Sequence, residues 1–254
     1  MKLIEIVIWN IKKFRNYIEE HLQTSQRKQQ VNSSKADYDS EISFWEDAIA
    51  GKKIEWVEKA LNPATSKDVF PQRLRSYVEK SDKKLKLLDV GSGPVSPLVW
   101  GIEMNLLEVV AIDPLADSYN NLLKKLNYSY PIVPIKCYGE DILDHFEIES
   151  FDIVYCANAL DHAMSPKRCI DNIYNVLKKD GIIYLTGYIK EGTNAKWSGL
   201  HQHDLVPENG QLVHYDQKGK MTNLTKDLAG LKCIYEDKKG VQTGDIYVMM
   251  FKKS

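Results

Sequence analysis

The sequence lacks an excess of charge of either sign. It has 34 basic and 35 acidic side chains in 254 residues, and its formal net charge is −1. Proteins that bind nucleic acid carry a positive field or a basic patch. No basic stretch interleaved with aromatic residues stands out along this chain. We therefore expect a protein without a nucleic-acid partner.

Apolar runs of membrane length are also missing. The first apolar run, Met1–Trp9, is interrupted by Glu5 and is too short to span a bilayer. Lys12 and Lys13 follow this run, whereas a secretory signal carries its positive charges in front. We predict an amphipathic helix for Met1–Trp9, no membrane span and a cytoplasmic location.

Cysteine is scarce, and none of the four cysteines forms a C-x-x-C pair. That excludes the common sequence patterns of zinc sites and dithiol redox sites. Cys137 and Cys156 lie within apolar runs, where cysteine usually acts as a small core residue. We predict free thiols in a reducing compartment.

Short apolar runs alternate with helical patterns between residues 85 and 188. The runs are continuous and rich in β-branched residues, which is typical of parallel strands covered on both faces. The predicted strands are Lys86–Val90, Val109–Asp113, Ile132–Cys137, Phe151–Cys156 and Ile182–Thr186, followed later by Lys232–Tyr235 and Ile246–Phe251. Leu115–Leu126 and Pro166–Lys178 are predicted helices. The pattern predicts an α/β fold, a doubly wound and mostly parallel seven-stranded sheet with helices on both faces.

The segments on either side have a different character. Residues 1–84 are polar with helical spacing, and we predict a helical N-terminal extension that forms a lid or a dimer interface. Within it, Ser40–Ala60 is predicted as one helix that places Trp45 and Trp56 on one stripe. Residues 85–254 then form the main domain, with an inserted substrate region at about 189–224. In that region, the segments Gln211–Tyr215 and Met221–Leu224 are predicted to flank a turn. After it, Thr225–Ala229 is predicted as a short helix.

A glycine turn follows the first predicted strand. Asp89 precedes Gly91 and Gly93, and glycines at alternate positions let the backbone bend sharply and approach a ligand. Twenty-four residues after Asp89, the next strand ends at Asp113. A carboxylate at that place can accept two hydrogen bonds from a ribose diol. The turn and the acid together predict a site for an adenosine ligand.

The residues after the turn bear on which ligand this is. A dinucleotide fingerprint has a third glycine where this chain has Ser96, and Pro97 removes a backbone N–H at the start of the following helix. A pyrophosphate would miss that donor. S-adenosylmethionine carries no phosphate and tolerates its loss. The sequence thus favours this methyl donor over a nicotinamide dinucleotide.

Five blocks between Leu85 and Tyr188 resemble the class I methyltransferases, which have a Rossmann-like fold and use S-adenosylmethionine. Order and spacing both agree with that family. The blocks are Asp89-Val-Gly-Ser-Gly93, Ala111-Ile-Asp-Pro114, Gly139-Glu-Asp-Ile142, Phe151-Asp-Ile-Val-Tyr-Cys156 and Leu177-Lys-Lys-Asp-Gly181 with the strand that follows. Val95 departs from the pattern, since many members have a third glycine there.

The resemblance implies a cofactor site with ten residues. It places Gly91, Ser92 and Gly93 against the methionine and ribose parts, with Asp89 ordering the turn or reaching the amino group. It assigns the ribose hydroxyls to Asp113. The remaining implied contacts are Pro114 beside the adenine, Asp141 at the exocyclic amine, the backbone N–H of Ile142 at the ring, and Ala157 and Asn158 along the donor.

Candidate catalytic residues follow the fourth predicted strand. In an open α/β sheet the ligand lies outside the carboxyl ends of the strands, and this strand leads directly to Asp161 and His162. Methyl transfer to a hydroxyl requires removal of a proton, which a histidine can accept near neutral pH. We predict His162 as the general base, with Asp161 as a residue that orients a histidine. A structural helix-entry role for His162 is the alternative.

A second polar cluster, His201-Gln-His203-Asp204, lies in the inserted region. In an extended segment His201 and His203 share a face. We predict a catalytic role for His201 and substrate contacts for His203 and Asp204. A divalent metal held by the two histidines with Asp204 or Asp161 is an open alternative, and no metal is assigned to the predicted site.

These inferences predict an S-adenosylmethionine-dependent O-methyltransferase acting on a small polar acceptor. The segments around Asp161 and His201 are similar to bacterial methyltransferases associated with surface polysaccharides. That similarity implies a sugar, or a capsule or lipopolysaccharide precursor, as the acceptor. The alternatives are an NAD(P)-dependent oxidoreductase and a catalytically silent, adenosine-binding partner subunit. A homodimer is also open.

Overall fold

The computed structural model describes residues 35–51, 54–241 and 244–254. Contacts divide the chain into two compact units, Met1–Glu41 and Ile42–Ser254. The described part of the first unit is helical and belongs to helix α1, Lys35–Ile49. The second unit contains the sheets and all of the candidate site residues. The predicted helix Met1–Trp9 lies outside the described residues, and the predicted domain boundary near residue 84 stays a prediction.

A seven-stranded sheet forms the centre of the second unit. Its strands stand in the order β3-β2-β1-β4-β5-β10-β9. Their bounds are β1 Leu85–Val90, β2 Leu107–Asp113, β3 Ile135–Lys136, β4 Phe151–Ala157, β5 Leu177–Tyr188, β9 Leu231–Val241 and β10 Gly244–Lys253. Strands β1 to β5 run parallel, while β10 is antiparallel to both of its neighbours. The strand order reverses between β1 and β4, and such a switch point opens a crevice at the carboxyl ends.

Apolar side chains cover both faces of the central strands. Leu88 and Val154 are fully buried in one core cluster, and Leu87 and Ile153 are fully buried in another. Successive residues of a strand point to opposite faces, so continuous apolar runs fill both sides of the sheet. The predicted α/β fold with a mostly parallel seven-stranded sheet is confirmed.

Helices cover the two faces. After α1 they are α2 Glu55–Leu61, α3 Ser66–Val69, α4 Gln72–Val78, α5 Val99–Glu103, α6 Ala116–Lys125, α7 Ile142–His145, α8 Pro166–Val176 and α9 Glu191–Asn194. Helix α8 packs Ile170 and Ile173 on the face that contains Leu88, and α4 packs Leu74 and Val78 on the face that contains Leu87. Among the described helices, none has the length and apolar character needed to cross a membrane.

A small antiparallel sheet is inserted after β5. Its strands are β6 Asp204–Glu208, β7 Gln211–Tyr215 and β8 Met221–Asn223, in that order. Leu205, Leu212 and Leu224 join the same core cluster as Leu88, so this sheet is anchored to the main one. The predicted turn between Gln211–Tyr215 and Met221–Leu224 is confirmed.

Some element predictions were wrong in ways with a physical cause. The strand predicted over Ile132–Cys137 is only Ile135–Lys136, because Pro131 and Pro134 have no N–H for the ladder. The short helix predicted at Thr225–Ala229 is absent, and the Asn223 side chain instead accepts from the backbone N–H groups of Thr225 and Lys226.

The helix predicted over Ser40–Ala60 is in fact two helices. Helix α1 ends at Ile49 and α2 begins at Glu55, with Gly51 at a positive φ between them. Trp45 and Trp56 still meet, with ring centroids 5.8 Å apart in an edge-to-face arrangement. The predicted stripe thus comes from packing of two short helices and not from one long helix.

All four cysteines are free, as predicted. Cys137, Cys156 and Cys169 are buried in the core cluster around β1 and β4. Burial raises the pKa of the Cys156 thiol, so it stays protonated near neutral pH. These cysteines act as small apolar core residues.

Candidate functional site

The turn after β1 presses against the segment after β4. Gly91 and Gly93 have φ values of +68° and +60°. Residues with a Cβ atom are strained in this region, whereas glycine is not. A Cβ atom on Gly91 would lie 2.2 Å from the Cβ atom of Ala159. Glycine is therefore required at this position for the ends of β1 and β4 to meet.

Asp113, at the end of β2, holds the same turn. Its side chain is buried, and Oδ2 accepts from the Gly93 N–H at 3.0 Å while Oδ1 accepts from the Leu115 N–H at 2.8 Å. The predicted ribose acid therefore lies within hydrogen-bond distance of the glycine turn, on the crevice side of the sheet.

Asp89 is buried beneath the turn. Its Oδ2 accepts from the Ser96 hydroxyl at 2.6 Å. Burial raises the pKa of Asp89 to about 7; the Ser96 hydrogen bond opposes this shift and the nearby Asp113 carboxylate adds to it. These contacts fit the turn-ordering role that was one of the two roles predicted for Asp89.

The backbone after the turn does not form a phosphate cradle. The Ser96 N–H donates to the Tyr130 hydroxyl at 3.1 Å, Pro97 has no N–H, and the Leu98 N–H donates to the Ser96 hydroxyl at 3.3 Å. Helix α5 that follows has only five residues. A dinucleotide fold presents free N–H groups at this place, so this geometry favours a ligand without a pyrophosphate.

The other predicted cofactor residues line the same edge of the sheet. Ile142 is fully buried at the start of α7. Asn158 is exposed with a φ of +48° directly after β4. The remaining positions are Pro114 after β2, Asp141 after β3, Ala157 at the end of β4, and Ser92 inside the turn.

Trp45 of α1 lies on the glycine turn. A Cβ atom on Gly93 would lie 3.0 Å from Cζ2 of the Trp45 ring. The same ring contacts Tyr119 of α6 edge to face, with centroids 6.4 Å apart. The sequence placed Trp45 on an apolar helical stripe but gave no signal for which surface the stripe covers.

The three predicted catalytic residues converge on one point. His201 Nδ1 lies 2.7 Å from Asp161 Oδ2 and 3.1 Å from His162 Nε2, and His162 Nε2 lies 3.4 Å from the same carboxylate oxygen. Asp161 is buried, while the side chains of His162 and His201 are 24% and 37% exposed. Burial would raise the pKa of Asp161, but the hydrogen bond from His201 and the charges of both histidines hold it below its ordinary value.

Backbone contacts bring these distant residues together. A 3₁₀ turn, Leu160–His162, follows β4, and its Leu160 side chain is buried in the core. The Asp161 carbonyl accepts from the Gln202 N–H at 3.0 Å, which ties the segment after α9 to this turn. Forty residues separate Asp161 from His201, and only the tertiary structure places them in contact.

His203 and Asp204 do not join this cluster. Both Asp204 oxygens accept from Thr193, one from its N–H at 2.8 Å and one from its hydroxyl at 2.6 Å. The His203 ring contacts the Ala163 carbonyl through Nε2 at 2.7 Å and His214 Nε2 through Nδ1 at 2.8 Å. Because a carbonyl only accepts, His203 carries its proton on Nε2 and His214 donates to Nδ1. The substrate contacts predicted for His203 and Asp204 stay predictions.

His214 is not among the predicted site residues. It lies on β7, and its contact with His203 links the inserted sheet to the chain segment directly after His162. Burial, and then the neighbouring His203, lower the pKa of His214 to about 4, while Asp216 and Asp204 oppose the shift. Burial likewise lowers the pKa of His203. The pair is therefore neutral in the folded protein near pH 7.

This neutral pair predicts a pH dependence of stability. Unfolded His214 binds a proton below its ordinary pKa of 6.5, whereas the folded form does so only near 4. The unfolded state therefore binds more protons in this window, and the free energy of unfolding falls as pH is lowered from 6.5 to 4. In His214→Gln the slope should be shallower, as urea unfolding at a series of pH values measures.

The matched control is His145→Gln, since His145 is exposed on α7. That variant should keep the slope of the unsubstituted protein. An unchanged slope in His214→Gln would contradict the assignment of a neutral, buried His214.

Comparison with known proteins adds an independent line of evidence about the family of this domain. Residues 88–185 match a family model described as a methyltransferase domain. These residues span β1 to β5, and they contain the glycine turn, Asp113 and the Asp161–His162 turn. No curated protein matches the chain.

Several solved structures are similar to this chain at low sequence identity. A candidate sarcosine dimethylglycine methyltransferase of Galdieria sulphuraria is 13% identical with a TM-score of 0.50, over 75% of this chain and 86% of that one. A complex between a methyltransferase activator and a candidate methyltransferase of Haloferax volcanii is 13% identical with a TM-score of 0.50. The match covers 80% of this chain and 99% of that one. The 1,6-didemethyltoxoflavin-N1-methyltransferase of Burkholderia thailandensis, solved with S-adenosylhomocysteine, is 13% identical with a TM-score of 0.46. The match covers 84% of this chain and 87% of that one.

The family match and the strand-end geometry agree on one assignment. The matched residues contain the glycine turn, Asp113, Asp161 and His162, whereas His201 lies beyond them. Residues 88–185 are similar to the methyltransferase-domain model, and the geometry at their strand ends fits S-adenosylmethionine as the cofactor.

Proposed function

We propose that this protein transfers a methyl group from S-adenosylmethionine to a hydroxyl of a small polar acceptor. The acceptor we favour is a sugar, or a capsule or lipopolysaccharide precursor. One observation carries the proposal: the glycine turn touches Ala159, two residues before the Asp161–His162–His201 cluster. A cofactor crevice and a set of proton-accepting side chains therefore lie next to each other.

The residues at the strand ends fit the cofactor. The turn at Gly91 and Gly93 gives close backbone approach, and Asp113 offers a carboxylate for the ribose. When bound, S-adenosylmethionine supplies an electrophilic methyl group on a sulfonium. We assign the remaining contacts to Asp89, Ser92, Pro114, Asp141, Ile142, Ala157 and Asn158, as the resemblance implies.

The cluster favours oxygen as the acceptor atom. An acceptor hydroxyl is a weak nucleophile until its proton is removed, whereas a neutral amine already carries a free electron pair. Asp161, His162 and His201 put two imidazoles and a carboxylate within 3.4 Å of one another. As the acceptor oxygen gains the methyl group, its proton passes to this cluster. A neutral amine would not require such a group before it reacts.

The acceptor region follows from the chain's layout. We propose that residues at about 189–224, which include His203 and Asp204, form its wall. Along the sequence, the inserted sheet lies after β5 and before β9 and β10. Leu205 anchors it to the core. We propose further that the helical residues before about residue 84 act as a lid or as a dimer interface. The contact of Trp45 with the glycine turn supports the lid role.

The first prediction concerns the cofactor. Asp113→Asn removes the charge of the proposed ribose acid and keeps one acceptor oxygen. We expect binding of S-adenosylhomocysteine to weaken by about 1–3 kcal/mol, or about 5- to 150-fold in Kd, the range for a hydrogen bond to a charged group. Isothermal titration calorimetry measures this change.

The matched control is Asp117→Asn, four residues further on and exposed in the first turn of α6. Its Kd should stay within about twofold, because a surface charge pair contributes little. Equal affinity of Asp113→Asn and the unsubstituted protein would remove Asp113 from the cofactor site.

The second prediction concerns turnover. His162→Ala should lower the rate of methyl transfer about 10²- to 10⁴-fold, the usual contribution of a positioned proton acceptor. Its affinity for S-adenosylhomocysteine should change little. A transfer assay with labelled S-adenosylmethionine and candidate nucleotide sugars measures the rate.

Two results would count against this proposal. Full turnover in His162→Ala would exclude the cluster from the reaction. If the unsubstituted protein binds the cofactor but transfers no methyl group to any hydroxyl compound tested, the catalytically silent partner subunit would be favoured instead.

A further inference from the structure

We propose that Asp161, His162 and His201 together bind one divalent first-row transition-metal ion, with Zn²⁺ as the model ion. This differs from the sequence alternative, in which His201 and His203 were the paired ligands with Asp204 or Asp161. In the structure His203 pairs with His214, and Asp204 is bound to Thr193. The proposal deepens the proposed function, because it says how the cluster activates a hydroxyl.

Two of the three distances match those between ligands around one ion, and the third is about 0.3 Å shorter. Bonds from Zn²⁺ to imidazole nitrogen and carboxylate oxygen are about 2.0–2.2 Å, so two ligands lie about 3.0 Å apart at a right angle and about 3.4 Å apart at a tetrahedral angle. The three ligand atoms of the cluster are separated by 2.7, 3.1 and 3.4 Å. These atoms form a triangle, and an ion above the centre of the triangle can be bound by all three.

If both histidines donate to the Asp161 carboxylate, the 3.1 Å contact between His162 Nε2 and His201 Nδ1 contains no hydrogen bond. His201 Nδ1 faces both Asp161 Oδ2 and His162 Nε2, and an imidazole nitrogen offers either one N–H or one lone pair in the ring plane. If Nδ1 donates to the carboxylate, it has no second proton and no lone pair for a linear bond to His162. An ion shared by the three atoms removes this conflict, since each then contributes a lone pair.

The ligand types select the class of metal. Two imidazoles and one carboxylate suit Zn²⁺, Fe²⁺ and related ions, whereas Mg²⁺ and Ca²⁺ prefer sites built from oxygen alone. Among the described residues, this is the group of histidine and acidic side chains whose ligand atoms all lie within 4.8 Å of one another. The site is therefore expected to discriminate against Mg²⁺.

Three protein ligands leave room for the acceptor. Catalytic zinc sites keep an open position for water or substrate beside three protein ligands. Here the carboxylate is buried, while both histidines are part exposed. A metal-bound hydroxyl loses its proton more readily, because the ion stabilises the oxyanion. With the ion bound, the ligand atoms of the cluster use their lone pairs on the metal, so the released proton would pass to solvent and not to the cluster. The oxygen would gain the methyl group as the S–CH3 bond of S-adenosylmethionine breaks, which leaves S-adenosylhomocysteine.

The test is a metal titration of the untagged chain. Co²⁺ serves as the spectroscopic probe, since its visible ligand-field bands report coordination by protein, and Zn²⁺ is measured by competition. We expect one ion per chain, displaced by Zn²⁺ and not by Mg²⁺. His201→Ala and His162→Ala should each weaken binding about 100-fold or more, beyond the roughly 10- to 100-fold lost with an outer-shell partner.

His145→Ala is the matched control, because it removes an exposed histidine outside the cluster. Its affinity for Co²⁺ should match that of the unsubstituted protein. Asp161→Asn, which conserves the shape of the side chain, gives a second test if an alanine variant fails to fold. Absence of a stoichiometric Co²⁺ spectrum in the unsubstituted protein, or equal binding in the cluster variants, would overturn the proposal.

Failure of the metal site can be distinguished from failure of the proposed methyltransferase function. S-adenosylhomocysteine binding should be the same before and after treatment with a chelator, since Asp113 and the glycine turn do not belong to the metal cluster. Methyl transfer should stop after chelation and return with Zn²⁺ or Co²⁺. Transfer that continues in the metal-free protein would overturn the metal site and leave the methyltransferase in place.

Discussion

The hydrogen bond from the Gly93 N–H to the Asp113 carboxylate is the interaction on which the site depends. It joins the turn after β1 to the end of β2, and the contact of Gly91 with Ala159 joins the same turn to the end of β4. Three neighbouring strands thus deliver their carboxyl ends to one place. The crevice forms there because the strand order reverses between β1 and β4.

Charge in this crevice is set by the partners of each buried acid. Asp89 is paired with a neutral hydroxyl, and burial raises its pKa to about 7. Asp161 is also buried, yet two histidines hold its pKa below the ordinary value. Two aspartates of similar depth therefore differ in the direction of their pKa shifts, because their hydrogen-bond partners differ.

Much of the fold could be predicted from local sequence. Strands β1, β2 and β4 have continuous apolar runs, because both faces of the sheet are covered, and their predicted bounds are within two residues of those observed. Asp113 could be placed at a strand end for the same reason. Local periodicity also predicted α6 and α8, whose apolar faces pack on the sheet.

The rest depended on contacts between distant segments, which periodicity does not encode. His201 meets Asp161 because a backbone hydrogen bond from Gln202 ties two loops together. His214 meets His203 through the register of β6 with β7, and a single strand pattern does not specify its partner. The Trp45 stripe was visible, but the break between α1 and α2 and the surface that Trp45 covers were not.

A crystal structure of the protein with S-adenosylhomocysteine tests the central claim most directly. Our account predicts the ribose hydroxyls within hydrogen-bond distance of the Asp113 carboxylate, the amino-acid part against Gly91 and Gly93, and the sulfur atom facing Asp161, His162 and His201. Density for the ligand outside this crevice, or a ribose that makes no contact with Asp113, would contradict it.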